Sequence, residues 1–322
     1  MSLKTPKKTG NPRKKLYLKA KQEPNFRFYP CPCSSHDKVW RSDILEPACR
    51  VVKSNGGKPG VDGVRFEQIE SGGWAEWLPS LQQDLPSKSC RPRPRRRVMI
   101  PKPGGGQRPL GIPAIPERVA QSAVKLVIEL VFEADLAPEA YRCRPKRSTP
   151  GAVPRVHQLL LQGCTDVAAA DLSKDFDTIR QAELPRCVAR RISDRQVLNI
   201  INRWLKTPAE ERDENGKRRM RGGKRSRCGA PQGGVISPLL ANPYMNRFLN
   251  YCRQKGKGGA FRAIIVNCAG DFVILSRGCA AEALEFTART MERTGLTLKR
   301  EKTKLVKAAQ ERFDFLGSLL SG

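Results

Sequence analysis

The sequence predicts an α+β protein. Three observations carry that expectation. Apolar residues recur at helical spacing in segments 43–55, 116–131 and 280–294, and short apolar runs lie at 167–172, 263–266 and 272–275, the last two rich in β-formers. Glycine-containing turns join paired runs at 98–112 and 263–275, which argues for antiparallel pairing. At 322 residues the chain can bury a sizeable core, as one large domain or two to three smaller ones.

Residues 1–22, MSLKTPKKTGNPRKKLYLKAKQ, have neither an apolar stretch nor a small-residue cleavage site, so they are not a secretory signal. They read as a flexible basic arm that touches phosphates, or as a solvated tail, within a basic N-terminal extension covering 1–40. Cys31, Cys33 and His36 are metal-ligating residue types, but with no fourth ligand in view a Cys-rich loop without metal is the simpler reading. From Asp43 to Asn55, Ile44, Leu45, Ala48, Val51 and Val52 share one helix face, and Gly56-Gly57 ends the helix. Lys58-Pro-Gly-Val-Asp-Gly-Val64 is a turn-rich loop, and Phe66 to Ile69 leads towards Trp74 and Trp77.

Residues 91–97, Arg-Pro-Arg-Pro-Arg-Arg-Arg, run into a strand, glycine turn and strand over 98–112, with cations along the ribbon. Such a hairpin suits a triphosphate or a nucleic-acid backbone, and is otherwise a charged hairpin in solvent. Pro116 opens a helix whose Val119, Ala123, Val127 and Val131 form a core stripe. Residues 167–172 read as a buried strand delivering Asp171 at its end. Residues 180–205 are helical in pattern, and 207–228 is a polar, cationic insert, either a loop or a long hairpin.

Gly229 to Gly234 is a glycine-rich loop. Ser237 and Pro238 follow as N-cap and first helical residue of a helix to about Asn250. Pro243 within it predicts a kink near 239–243, because an interior proline removes a hydrogen bond at a cost of ~3 kcal/mol. Ala263–Val266 and Phe272–Leu275 form a hairpin with Asp271 at its turn. A helix over 280–294 closes at Gly295, and short strands around Leu296–Leu298 and Phe313–Leu316 end the chain.

Sixty Lys and Arg against 31 Asp and Glu give a formal charge of +29, which points to a polyanionic partner. A membrane is the weaker alternative, since no run approaches the roughly 20 apolar residues that cross a bilayer. Even Val119 to Leu136 is broken by Lys125 and Glu129. The eleven cysteines are irregularly spaced with no paired CxxC, which argues for reduced thiols in the cytoplasm. Nucleotide polymerisation needs carboxylates from separate strands to hold two divalent ions roughly 3.5–4 Å apart. Asp171 and Asp271 meet that requirement if their strands are neighbours; alone they are two acids among 31.

Taken in order, several segments resemble the successive blocks of group II intron reverse transcriptases across roughly residues 40–317. They are Lys58-Pro-Gly-Val-Asp-Gly-Val64, the stretch from Ile100 to Pro113, Ala170-Asp-Leu-Ser-Lys-Asp-Phe-Asp-Thr-Ile179 and Gly229-Ala-Pro-Gln-Gly-Gly-Val-Ile-Ser-Pro-Leu-Leu-Ala-Asn242. Asp271-Phe-Val-Ile-Leu275, Gly295-Leu-Thr-Leu-Lys-Arg-Glu-Lys-Thr-Lys304 and Phe313-Asp-Phe-Leu-Gly317 complete the series. The resemblance implies a right-hand polymerase fold, with an N-terminal block and fingers over 41–164 and an antiparallel palm over 165–322. It implies an RNA-directed DNA polymerase using two Mg2+ ions, with Mn2+ as an alternative. Its partners would be an RNA template, a DNA primer, deoxynucleoside triphosphates and an intron RNA. Asp171 and Asp271, with the backbone carbonyl of Leu172, would be the metal ligands. Lys102 and Arg108 would hold the triphosphate, Phe176 would exclude a ribose 2′ hydroxyl, Gln232 would position the nucleotide, and Lys302 would lie near the primer end. The plainer roles are a packed aromatic for Phe176, a turn amide for Gln232 and a surface ion pair for Lys302.

One departure bears on activity. The family's Tyr-Ala-Asp-Asp is Cys268-Ala269-Gly270-Asp271 here, so three carboxylates become two. Losing one preorganised electrostatic group commonly costs ~10²–10³ in rate. Asp175 lies roughly 13 Å along an extended strand from Asp171 and cannot substitute, and Asp177 is an ordinary residue of the motif. Arg142-Cys143, Lys146 and Pro243 also depart from the family pattern. The sequence ends at Gly322, just past Phe-Leu-Gly, so neither a thumb and splicing region nor an endonuclease domain is expected. Gly270 and that ending leave two rivals: a catalytically inactive RNA-binding remnant, and a relic that folds poorly.

Overall fold

The computed structural model describes residues 12–28, 39–85, 91–101, 105–141, 143–145, 147–172, 179–213, 215–223, 226, 229, 232–254, 261–268 and 270–322. The chain forms two compact units. One comprises the described residues up to Ala134 together with Gln181–Leu240, the other Asp135–Arg180 and Ala241–Gly322. These units alternate along the chain, whereas the sequence division was linear at 164/165. The reason lies in long-range pairing that no local pattern announces.

The first unit holds α1 (Pro12–Gln22), α2 (Ser42–Ser54), α3 (Phe66–Ser71), α4 (Trp74–Asp84), α5 (Ile115–Glu133), α7 (Glu183–Ala189) and α8 (Arg195–Leu205). Its sheet has the order β2-β1-β4-β5, from β1 (Arg95–Pro101), β2 (Gln107–Ile112), β4 (Pro208–Arg212) and β5 (Arg218–Gly222). The hairpin expected over 98–112 is present, pairing Arg96 with Ile112 through Pro101 with Gln107. The cationic insert is a second hairpin, and β4 joins β1 in parallel at Arg95–Ala209 and Arg96–Glu210. That pairing draws 181–240 into this unit.

Residues 1–11 lie outside the described residues, and residues 12–28 correct the expectation of a flexible arm for 12–22. They form α1 and a docked tail: Arg191, 3% exposed, donates to the carbonyls of Ala20 (2.8 Å), Glu23 (3.1 Å) and Pro24, while Ser193 N–H donates to Phe28 O (2.9 Å). A charged helix with one small buried face, at Ala20, is invisible to hydrophobic periodicity. Cys31, Cys33 and His36 lie outside the described residues.

The second unit is built on the sheet β6-β7-β3-β8. Its strands are β3 (Asp166–Asp171), β6 (Ile264–Cys268), β7 (Asp271–Ser276) and β8 (Lys304–Lys307), all antiparallel to their neighbours. Central position explains the unbroken apolar runs of β3 and β7, because both faces of such strands are covered. Val167, Val273, Leu275 and Val306 pack with Val156, Leu159 and Leu160 of α6 (Thr149–Leu161). Also in this unit are α10 (Ala280–Arg293), the far part of α9 (Ser237–Gln254), and a small hairpin of β9 (Phe313–Phe315) and β10 (Ser318–Leu320).

Two details differ from the sequence expectation. Residues 296–298 are not a strand; Leu298 makes an isolated bridge to Leu172, and the strand beside β3 is Lys304–Lys307. Its surface positions Lys304, Leu305 and Lys307 hide the alternation that would have marked it. In addition, α9, with Pro243 inside it, extends to Gln254, past the expected end near Asn250. Among the described residues no helix is long and apolar enough to cross a membrane. The described cysteines are free thiols, and burial pushes Cys49 up to about 12 and Cys252 up to about 11, so neither is poised as a thiolate.

Candidate active site

The strands carrying Asp171 and Asp271 are neighbours, and the two aspartates stand directly opposite each other in the β3–β7 register. With side chains alternating across a sheet, both fall on the face that carries Val167, Ala169, Val273 and Leu275. Directly opposed like charges destabilise a strand pair unless a cation intervenes. The cations present are lysines. Lys299 Nζ lies 2.5 Å from Asp171 Oδ2, and its backbone N–H donates to the Asp171 carbonyl (2.9 Å). Lys302 Nζ lies 3.6 Å from the same oxygen. Leu172, buried beside Asp171, donates its N–H to the carbonyl of Gly270 (2.9 Å).

Gly270 lies in the tight turn between β6 and β7, which pair as Cys268–Asp271 at its base. It offers backbone only. Asp171 and Asp271, with their carboxylates on one face, are an oxygen donor set suited to a hard divalent cation such as Mg2+. Gly270 withholds a further carboxylate, and among the described residues no group of three His, Cys, Asp or Glu side chains converges as a metal site. Phe176, Asp175, Asp177 and Lys102 lie outside the described residues.

Arg108 and Gln232 belong to the first unit. Arg108 is exposed on β2, across from Ile100. The Gln232 carbonyl accepts the Gly111 N–H (2.8 Å), so the glycine loop is stitched to the strand that carries Arg108. Gly233 has φ +96°, and a Cβ there would overlap the Gly111 carbonyl oxygen, which is why this close approach uses glycine.

Sequence reasoning gave the 58–64 loop little weight. Arg118, 8% exposed, donates to the carbonyls of Gly56 (3.2 Å) and Lys58 (3.0 Å) and holds the loop against α5. Lys58, Arg96, Arg97 and Arg212 line a cleft of about 420 Å³ beside it. Sequence reasoning also missed Lys299. It stands inside a quoted motif, but its bond to Asp171 spans 128 residues and has no local signature.

Residues 100–320 match the family model described as reverse transcriptase (RNA-dependent DNA polymerase). The chain belongs to the reverse transcriptase family. This reverse transcriptase is 33% identical over 320 residues to Protein YkfC of Escherichia coli (strain K12), covering 88% of this chain and 81% of YkfC. It is 28% identical over 215 residues to the group II intron-encoded protein LtrA of Lactococcus lactis subsp. cremoris, covering 66% of this chain but 34% of LtrA. With such relatives it groups with the group II intron reverse transcriptases, and by family it is an RNA-directed DNA polymerase. Among solved structures, telomerase from Candida albicans in complex with a TWJ fragment of telomeric RNA aligns with a TM-score of 0.57 at 12% identity, over 72% of this chain and 46% of that one. That likeness shows the fold, a right-hand polymerase of mixed α and β structure with antiparallel sheets.

Proposed function

We propose that this reverse transcriptase transfers deoxynucleotides from their triphosphates to a primer 3′ end on an RNA template, at a rate lowered by Gly270. The observation that carries the reading is the in-register pair Asp171–Asp271 on two central strands. In this reaction the primer 3′ oxygen bonds to the α-phosphorus, the bond to the β-phosphate breaks, and pyrophosphate leaves while the hydroxyl proton is lost. A divalent ion, when bound, favours the ionised hydroxyl and offsets the charge of the leaving group.

The remaining work falls to the chain. Asp171 and Asp271 supply fixed negative charge that would hold the ion, with the Leu172 carbonyl as a further oxygen. Lys102 and Arg108 would bind the triphosphate, Arg108 by pairing two phosphate oxygens at once. Gln232 would set the nucleotide against the template, Phe176 would crowd a 2′ hydroxyl, and Lys302 would offset charge near the primer end.

Primer extension on poly(rA)/oligo(dT) with Mg2+ tests the reading. Wild type should exceed Asp171→Ala, and Gly270→Asp should exceed wild type by about 10²-fold if one preorganised group has been lost. Incorporation by wild type no higher than by Asp171→Ala would sink the enzyme reading. Gly270 also favours a second reading, an RNA-binding protein without polymerase activity. RNA binding with no incorporation, in wild type and Gly270→Asp alike, would establish it.

A further inference from the structure

We propose that Lys299 is a built-in counter-cation for Asp171 that competes with the divalent ion for the same carboxylate, so that the chain holds its aspartate pair without metal and binds metal only by displacing this lysine. The inference rests on reading Asp171 and Asp271 as the catalytic pair.

Geometry makes the lysine a fixture rather than a passing surface cation. Lys299 is tied twice to one residue, through its backbone N–H to the Asp171 carbonyl (2.9 Å) and through Nζ to Oδ2 (2.5 Å). The bridge between Leu172 and Leu298 and the extended backbone of Lys299 (φ −82°, ψ 98°) set its side chain beside Asp171 before any side-chain bond forms. Little entropy is then lost in closing the pair, unlike a long surface side chain that must search for its partner. The pair is also partly withdrawn from water, Lys299 being 26% and Asp171 19% exposed, whereas Lys302 is 62% exposed and stands farther away. Screening therefore weakens Lys302 more than Lys299.

Charge decides the competition. Among the described residues, Lys299 and Lys302 both approach Asp171 Oδ2, so this carboxylate already has two ammonium neighbours. A Mg2+ ion bound to Asp171 at ~2.1 Å would share a small carboxylate with an ammonium already on Oδ2. Two cations on one carboxylate repel each other, so each weakens the hold of the other on Asp171. A third carboxylate at position 270 would add negative charge and a ligand that favour the divalent ion. Gly270 adds neither, which favours the lysine in the competition for Asp171. Gly270 and Lys299 thus act in the same direction, one by removing a ligand and the other by occupying its neighbour.

The test is metal binding by the full chain, followed by electron paramagnetic resonance of free Mn2+, with no polymerisation required. Lys299→Gln should bind Mn2+ at least tenfold more tightly than wild type, and adding Asp171→Asn to that variant should abolish the gain. Equal affinity in wild type and Lys299→Gln, or a gain that survives Asp171→Asn, would overturn the proposal. If Lys299→Gln does not fold, the wild type alone decides. Acylation of the Lys299 amine, read by mass spectrometry, should accelerate several-fold when Mn2+ is added, with Asp171→Asn as the reference for an uncovered lysine; a rate indifferent to Mn2+ refutes competition. Because neither readout is incorporation, a catalytically dead chain leaves this inference intact, and its failure leaves the polymerase reading standing.

Discussion

Glu117, in the first turn of α5, accepts the Arg93 N–H at Oε1 (3.1 Å), while its buried Oε2 has no hydrogen-bond partner among the described residues. Burial raises its carboxyl pKa above the ordinary range, outweighing the Arg93 N–H and charge that act to lower it. The folded state therefore binds this proton more tightly than the unfolded chain does. Stability linked to Glu117 is fully present below the ordinary carboxylate pKa and is lost as pH rises through the raised one. Glu117→Gln keeps an acceptor for Arg93 and has no charge to bury. It should be more stable than wild type by about 1 kcal/mol at pH 8, with the gap closing towards pH 4, in urea unfolding followed across that range. A gap that is constant with pH would show that the carboxylate charge is not what costs stability.

At the scale of elements, α8 shows how a local signal and a tertiary one combine. Asp194 caps it, Oδ1 accepting from Gln196 N–H (2.8 Å) and Val197 N–H (3.2 Å), and the helix buries Val197, Ile200, Ile201, Trp204 and Leu205. Asp194→Ala should cost ~1 kcal/mol in thermal or urea unfolding, and Asp194→Asn much less, since the amide oxygen still accepts. Elements of this kind were legible: α2, α5 and α10 by their stripes, β3 and β7 by unbroken apolar runs, and the Asp171 position by the acid that ends its run. What was not legible has a common physical cause. The five residues of β5 are all exposed, so no period can mark them. The docking of β4 on β1, of Phe28 on Ile192 and of Lys299 on Asp171 joins residues more than 100 positions apart. Periodicity reports what one element does with its own faces, and these are properties of pairs. The motif order supplied Asp171 and Asp271 as a pair, but the contact of Lys299 with Asp171 came only from coordinates.

For the whole molecule the net charge of +29 becomes a prediction once the cations are placed. Around β4 and β5, Arg212 and Arg218 share Glu210, Arg97 and Arg221 share Glu211, and Arg219 reaches Asp213, so five arginines face three acids. Arg218, Arg219 and Arg221 are each more than half exposed, and ion pairs so exposed to water hold their partners weakly. These side chains are accordingly available to phosphates. Binding of a labelled single-stranded RNA, followed by fluorescence anisotropy, should weaken linearly in log K against log salt, with a slope of about −0.7 per phosphate contacted. Replacing Arg218, Arg219 and Arg221 together with alanine should reduce the magnitude of that slope by about 2 and weaken binding to different RNA sequences alike, because phosphates carry no sequence information. A slope unchanged in the triple variant would take β5 out of the RNA interface and move the phosphate contacts to the cations of β1, β2 and the 58–64 loop.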